Sequence, residues 1–299
     1  MTRLIPVKYG EINYPPHIKT NICEIAGNFD KEEFSANIPY SLHTEYSYGK
    51  REFNSKIFKH LENITSAQKG NIPQLWYNKE WAKDFFIFIE LLIGSNNSPE
   101  VLEIHPPFND YCDTFDQFLK TFNVFYDIFK SKYPATTILI ENRFGTMYKG
   151  GKFLLSTSSD VLNLGEILIN SDIDLKIVLD YPQIFGAEQI NLDKLNDKEL
   201  ENITRFNKKL EKYKKVIGGF HMWGKRKSET EKWVAHMGNF DTFFSNNNEL
   251  KHKFLNSVLS TFNDGIARYF VPEVNSGEKD LYSIVADMEK EHFIFISQG

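Results

Sequence analysis

The chain has 299 residues, a formal net charge of −5, 41% hydrophobic residues and 15% aromatic residues. This composition is typical of a globular protein with a sizeable core and excludes a disordered chain. The negative charge argues against a broadly basic nucleic-acid surface, and two cysteines, Cys23 and Cys112, are too few for a disulfide framework.

Short apolar runs alternate with segments that have the pattern of helices. Residues 110–132 place apolar side chains at the three-and-four spacing of a half-buried helix, and residues 195–214 form a charged segment with a thin apolar stripe. The runs lie at 38–43, 100–105, 136–141, 175–180, 215–221 and 268–273. This alternation predicts a parallel sheet surrounded by helices, namely an α/β (β/α)8 TIM barrel in which residues 1–299 form a single domain.

The two ends of the chain do not fit the regular alternation. Only one convincing strand, at residues 4–10, precedes the run at 38–43. A standard barrel in which His43 ends the third strand needs two. The chain ends in the apolar segment HFIFIS at residues 292–297. Because an open seam would leave backbone groups unpaired, we predict that this C-terminal segment is the eighth strand and closes the barrel.

The sequence predicts neither a membrane segment nor a secretory leader. The richest apolar stretch, at residues 81–94, is interrupted by Asp84 and Glu90 and is shorter than a bilayer span. The N-terminus lacks the ordered regions of a signal peptide. We therefore expect a cytoplasmic protein without a membrane partner.

Two insertions follow polar residues at the ends of runs. After Glu141, the sequence Lys-Gly-Gly-Lys at residues 149–152 predicts a small hairpin over the barrel mouth. After His221 comes a polar loop that contains Lys225, Arg226 and Lys227. Loops at this end of a barrel carry function more often than loops at the other end.

Six of the apolar runs end at, or within one residue of, a histidine or an acidic residue. A parallel barrel gathers its strand ends into one ring, so these side chains are expected to meet. Any one of them alone is more often a structural residue at the point where a strand returns to water, but three buried carboxylates side by side would repel one another without a cation. The residues are His43, His105, Glu141, Asp180, His221 and Glu273. Nitrogen and oxygen donors without a thiolate favour zinc, manganese or iron.

Local motifs around these residues add a family resemblance. They are His43 with Tyr46 three residues later, His105-Pro106, Glu141-Asn142 with Gly145, Asp180 with Gln183, the lone His221, His236 shortly before Gly238, and Glu273. In this order they resemble the xylose-isomerase-like barrel superfamily, and within it the endonuclease IV (AP endonuclease) family, across residues 36–280.

The resemblance implies a metal centre of reduced size. The family binds three metals, and the third is held by residues that correspond here to Gln183, Val234 and His236. Val234 cannot bind a metal and the Gln183 amide is a weak donor, so about two divalent ions per chain are expected, zinc first and manganese or iron as alternatives. His43, His105 and Glu141 would hold one ion, with Glu141 bridging to a second. That second ion would be held by Asp180, His221 and Glu273, and His236 is a further candidate ligand.

The same resemblance favours phosphodiester hydrolysis, with DNA or another phosphodiester as the substrate and a role such as DNA repair. In that reaction Glu141 bridges the ions, and Glu273 or Asp180 orients the attacking water. Substrate contacts are expected from Tyr46, Arg143, Gln183, Trp223, Lys225 and Arg226. The cluster of Lys225, Arg226 and Lys227 is also typical of an ordinary solvated loop. Trp223 is equally suited to stacking on a base or to packing as a lid.

Two other functions remain open at the level of sequence. A sugar isomerase or epimerase of the same superfamily would need one metal, held by Glu141, Asp180, His221 and Glu273, with Glu141 and Glu273 flanking the carbon that loses and regains a proton. The other open function is that of a barrel that binds a metal and a ligand without turning the ligand over. The presence of His43 and His105 beyond the single-metal set favours hydrolysis.

Overall fold

The computed structural model of the protein describes residues 1–29, 34–44, 53–54, 56–190, 197–230 and 232–297. Eight parallel strands form a closed ring in which each strand pairs with its neighbours in chain order and the last pairs with the first, Ala267 opposite Arg3. Strands are numbered in chain order, and the missing numbers belong to small strands outside the ring. The eight strands of the ring are β1 (Arg3–Lys8), β2 (Ile22–Ala26), β3 (Tyr40–His43), β6 (Val101–Ile104), β7 (Thr137–Glu141), β8 (Leu175–Asp180), β9 (Ile217–His221) and β12 (Ala267–Val271). The ring confirms the predicted (β/α)8 barrel.

Helices cover the outside of the ring. They are α1 (Glu62–Ser66), α2 (Lys79–Ile93), α3 (Phe115–Lys132), α4 (Ser158–Ile169), α5 (Tyr181–Ala187), α6 (Asp197–Leu210), α7 (Phe240–Phe243), α8 (Asn248–Thr261) and α9 (Glu278–Lys290), with a 3-10 helix at Glu211–Val216. Side chains cap several of them, as Asn78 does for α2 and Thr157 with Asp160 for α4. No helix in the described part of the chain is long and apolar enough to span a bilayer.

The strands are buried on both faces, which explains their continuous apolar character. Their outward side chains pack against the helices in a core rich in phenylalanine. Their inward side chains fill the lower barrel with two small apolar clusters. These clusters are Ile5, Val7, Ile22 and Val271, and Val101, Leu139 and Val178. Because side chains alternate along a strand, the same inner faces carry polar residues one step higher, at the carboxyl ends.

Small strands lie in the loops above the barrel. They are β4 (Gln68–Lys69) with β5 (Ile72–Pro73), and β10 (Lys225–Lys227) with β11 (Trp233–Ala235), each an antiparallel pair. The hairpin predicted after Glu141 is present, with Thr146 opposite Lys152 and the Met147 N–H donating to the Gly151 carbonyl at 3.0 Å.

The prediction that the C-terminal segment closes the barrel is wrong. This segment forms β13 (Ile294–Phe295), which pairs with Arg3 and Leu4 of β1 and lies outside the ring. The eighth strand is β2, which pairs with β1 on one side and β3 on the other. Its sequence, ICEIA, is short, is interrupted by Glu24, and is not followed by a helix in the described residues, so it lacked the signals that marked the other strands.

Deleting residues 294–299 should therefore leave the barrel folded. The deletion removes the bonds from the Ile294 and Ile296 N–H groups to the Thr2 and Leu4 carbonyls, at 3.0 and 2.8 Å, each contributing about 1 kcal/mol. It also removes the half-buried Phe295 ring, which packs edge-on against Tyr14 and Phe270. In contrast, Ile22→Ala in β2 removes a side chain that is 1% exposed, at a cost of about 2–5 kcal/mol. Urea unfolding of both variants measures this difference, and an aggregated truncate would contradict the peripheral role of β13.

Candidate metal centre

The six residues predicted from the strand ends meet at the carboxyl end of the barrel. His43, Glu141, Asp180 and His221 are the last residues of β3, β7, β8 and β9, His105 follows β6 directly, and Glu273 lies two residues after β12. All six side chains are buried. The strands hold them on the inner face of the ring, so their positions are fixed by the sheet and not by the loops.

The first group of donors is formed by His43, His105 and Glu141. The Nε2 atoms of the two histidines are 3.2 Å apart, and Oε2 of Glu141 lies 2.9 Å from His105 Nε2 and 3.5 Å from His43 Nε2. One donor atom from each residue lies within 4.8 Å of the others. These three side chains therefore converge on a single point where a cation could bind.

The second group consists of Asp180, His221 and Glu273, and its donor atoms also lie within 4.8 Å of one another. Asp180 is held firmly in place. One of its carboxylate oxygens accepts the Gln183 N–H at 2.9 Å as the N-cap of α5, and the other accepts the Trp223 indole N–H at 3.0 Å. The Asn142 side chain makes two further bonds to the Asp180 backbone, both 3.0 Å.

Glu141 connects the two groups. Its Oε2 faces His43 and His105, while its Oε1 lies 3.6 Å from His221 Nδ1. Arg143 approaches from the side, with Nη1 at 3.3 and 3.4 Å from the two oxygens. The two oxygens of Glu141 therefore face different donor groups.

Two further carboxylates in this cluster were missed at the level of sequence. Glu24, on β2, places Oε1 3.3 Å from His43 Nδ1, and Glu103, on β6, places Oε1 3.2 Å from His221 Nε2. Each is a single acid inside a short apolar strand. For Glu103, the alternation of side chains supplies a usable signal, because it precedes His105 by two residues and must share its face.

The charges in the cluster perturb one another strongly. Burial alone would raise the pKa of Glu141, but Arg143 and hydrogen bonds from the surrounding histidines outweigh it and hold the pKa well below its usual range. Burial is likewise outweighed at Glu273, where His221 and His236 lower the pKa to about 2. Desolvation would lower the pKa of His43, yet the Glu103 and Glu24 carboxylates raise it well above its usual value.

Asp180 and His221 show the same competition. Burial, together with the neighbouring Glu141 and Glu273 charges, raises the pKa of Asp180 well above its usual range. Burial lowers the pKa of His221, but the Glu103 and Glu273 carboxylates outweigh it and raise that pKa well above normal. The cluster therefore holds more negative charge than its own side chains neutralise easily.

The buried polar atoms of the cluster fit a metal centre. Among the described residues, both ring nitrogens of His221, Oε1 of Glu103 and Oε2 of Glu273 are buried and make no well-aligned hydrogen bond, although His221 Nε2 and Glu103 Oε1 lie 3.2 Å apart and His236 Nδ1 lies 3.3 Å from Glu273 Oε2. Orphaned buried donors and acceptors are costly, and cations would satisfy them. The donor set of imidazole nitrogens and carboxylate oxygens suits zinc, manganese or iron.

His236 reaches the centre although it lies in a loop. Its Nδ1 is 3.3 Å from Glu273 Oε2, and its side chain remains 24% exposed. Two local features bring it there. His236 has a positive φ of 59°, and Gly224 lets the two ends of the loop approach closely, because a Cβ at that position would lie 2.3 Å from the Gly238 carbonyl carbon. Val234, on β11, is 39% exposed and contributes no donor.

The structure places the predicted substrate-contact residues in different settings. Arg143 is buried and directed at Glu141, and the Gln183 side-chain oxygen accepts the Phe144 N–H at 3.1 Å. Trp223 is 2% exposed and stacks on His236 at 4.4 Å between ring centroids, which matches the packing alternative.

The basic loop is partly committed to other contacts. Lys225 Nζ lies 5.7 Å from the Trp223 ring centroid. Arg226 is paired with Asp280 at 2.9 Å. Tyr46, the remaining predicted contact, lies outside the described residues.

Comparisons with known proteins add only fold-level likenesses. No protein-family model matches the chain, and no curated protein does. Among solved structures, a xylose isomerase domain protein from Planctomyces limnophilus is 10% identical, with 90% of this chain and 95% of that one covered and a TM-score of 0.39. An endo-β-mannanase/endo-β-glucanase from Prevotella bryantii is 9% identical, with 91% and 42% covered and a TM-score of 0.34. A broad-specificity endoglucanase from Clostridium longisporum is 12% identical, with 88% and 93% covered and a TM-score of 0.29. Because these TM-scores are below 0.5, the assignment of the barrel depends on the strand order of this chain, and function must be argued from the site.

Glu24→Gln tests the contact behind His43. A carboxylate that accepts the Nδ1–H of a histidine fixes the tautomer in which Nε2 has a free lone pair for a metal ion. Loss of such a carboxylate typically weakens metal binding about 10–100-fold. We expect Glu24→Gln to lose metal affinity by this factor and to hold the same number of ions as the wild type at saturation. Competition against a chromophoric chelator measures it, and the exposed Glu229→Gln is the matched control. Equal affinity in both variants would show that Glu24 does not orient His43.

Proposed function

We propose that the chain is a metal-dependent phosphodiester hydrolase with a two-metal site, related to the xylose-isomerase-like barrels and most similar in pattern to endonuclease IV. The supporting observation is the position of Glu141, whose two oxygens face two separate groups of donors. A one-metal isomerase needs only the second group and Glu141. It would leave His43 and His105 without a role, although both are buried beside the carboxylate.

When bound, two divalent cations would supply Lewis acidity toward a phosphate and hydroxide at neutral pH. The residues of the chain perform the remaining work. Arg143 offsets the charge of Glu141, and Trp223 and Gln183 fix the direction of the Asp180 carboxylate. Glu273 or Asp180 can orient the attacking water, and Glu273 Oε2 lies 3.3 Å from Nδ1 of His236, whose side chain reaches solvent.

Features of the barrel mouth support a substrate that carries phosphate and bases. Phe144, next to Arg143, is 51% exposed, and its backbone is held by Gln183. An exposed aromatic ring in this position can stack on a base or a sugar. Lys225 and Lys227 add positive charge in β10, directly after His221. DNA is the phosphodiester that the family resemblance suggests.

A metal-dependent sugar isomerase or epimerase is the second candidate. The observation in its favour is the deep burial of the donors, since Glu141, Asp180 and His221 are each 1% exposed or less. An enclosed site suits a small substrate. In that reaction Glu141 and Glu273 would flank the carbon that loses and regains a proton, and only one metal would be required.

A metal count combined with a substrate panel separates these reactions. The protein is loaded with zinc, manganese or iron, and the bound ions are measured by elemental analysis. Two ions with cleavage of an abasic-site duplex or a generic phosphodiester would support the hydrolase. One ion with exchange of solvent hydrogen into a ketose would support the isomerase and overturn the hydrolase. Bound metal without turnover in either assay would favour a binding protein.

Glu141→Gln is expected to abolish activity and to release at least one ion, because a neutral amide cannot bridge two cations. The fold should survive, since polar residues at the catalytic end of a barrel contribute little to its core. Elemental analysis and circular dichroism measure the two effects. Unchanged metal content in the variant would contradict the bridging role.

A further inference from the structure

We propose that Glu103 is a second bridging ligand, so that the two ions are joined by two carboxylates, Glu103 and Glu141. This inference depends on the proposed two-metal site and adds to it a ligand that the family pattern does not contain. It also predicts a richer set of oxygen donors than that pattern implies, which favours manganese or iron over zinc.

The position of Glu103 between the two donor groups supports this role. Its Oε1 lies 3.5 Å from Nε2 of His43, a member of the first group, and 3.2 Å from Nε2 of His221, a member of the second. It also forms a compact set with Glu141 and His221, whose donor atoms lie within 4.8 Å of one another. Glu103, on β6, therefore faces both donor groups, and so does Glu141 on the neighbouring strand β7.

The Glu103 carboxylate is buried beside two histidines, within ion-pair distance of each. The side chain is 1% exposed, and Oε1 makes no well-aligned hydrogen bond among the described residues. The backbone carbonyl of Glu103 is fixed by Thr44, whose N–H and hydroxyl donate to it at 2.9 and 2.7 Å. The backbone of Glu103 is thus fixed, and its carboxylate is directed at Nε2 of His43 and Nε2 of His221.

The charge of the centre supports a ligand role as well. Five carboxylates are buried within this cluster, namely Glu24, Glu103, Glu141, Asp180 and Glu273. Arg143 is buried beside these carboxylates. When the histidines are neutral, Arg143 and two divalent cations would together neutralise the five negative charges. A centre without Glu24 and Glu103 would instead be strongly positive. Burial of unbalanced charge is unfavourable, so the extra acids match a dinuclear centre.

Manganese binding tests the proposal directly. Metal-free wild-type protein, Glu103→Gln and Glu24→Gln are titrated with Mn²⁺, and the free ion is followed by electron paramagnetic resonance. We expect two ions in the wild type and a spectrum of an exchange-coupled pair. Glu103→Gln should lose one ion, or bind the weaker ion at least about 10-fold less tightly, and should lose the coupled spectrum. Glu24→Gln should also bind more weakly, because His43 loses its partner, but at saturating Mn²⁺ it should keep both ions and the coupled spectrum.

Controls separate the possible failures. Asp84→Asn, which changes a buried carboxylate that accepts the Asn63 N–H on the outside of the barrel at 2.8 Å, should bind Mn²⁺ like the wild type. If Glu103→Gln does not fold by circular dichroism, Glu103→Asp keeps the charge but withdraws the carboxylate, and the same loss of affinity and coupling is expected. Two ions with unchanged affinity and coupling in the Glu103 variant would overturn this inference alone. Fewer than two ions in the wild type would overturn the proposed two-metal site itself.

Discussion

The structure depends on one constraint, the burial of several carboxylates at the carboxyl end of a closed barrel. A buried carboxylate is strongly disfavoured unless it is paired with positive charge or bound to a metal. Here Glu141, Glu103 and Asp180 lie within one ring, with His43, His105, His221 and Arg143 among them. The opposite shifts of neighbouring pKa values, raised at Asp180 and lowered at Glu141, express this competition for limited positive charge.

The barrel makes such a cluster possible because its lower half supplies stability independently. The apolar layers inside the ring and the aromatic core beneath the helices contain none of the cluster residues. Polar residues can therefore accumulate at the upper rim without weakening the core. The strands also fix the positions of most of the donors relative to one another.

The loops complete this rim. The β10–β11 hairpin brings His236 back to Glu273 and stacks it on Trp223, while the turn after β7 leaves Phe144 exposed. Val234 is exposed in the hairpin, and the Gln183 side chain is bonded to the Phe144 backbone. The donors of the described residues are thus concentrated at the two groups that Glu141 connects.

The sequence by itself determined the barrel and most of the cluster. Strands buried on both faces are continuous apolar runs, and a parallel ring brings their ends together, so His43, His105, Glu141, Asp180, His221 and Glu273 could be placed from their positions alone. The sequence could not place β2, because a five-residue strand interrupted by Glu24 and not followed by a described helix has no periodic signal. Only the tertiary structure decided which chain segment closes the ring, because β13 pairs with Arg3 and Leu4 of β1 while β2 pairs with Val7 and Lys8, and this division depends on long-range backbone pairing. It also decided the positions of the Glu24, Glu103 and Trp223 side chains, because the direction of a side chain relative to residues on distant strands is set by barrel closure and is not encoded in local spacing.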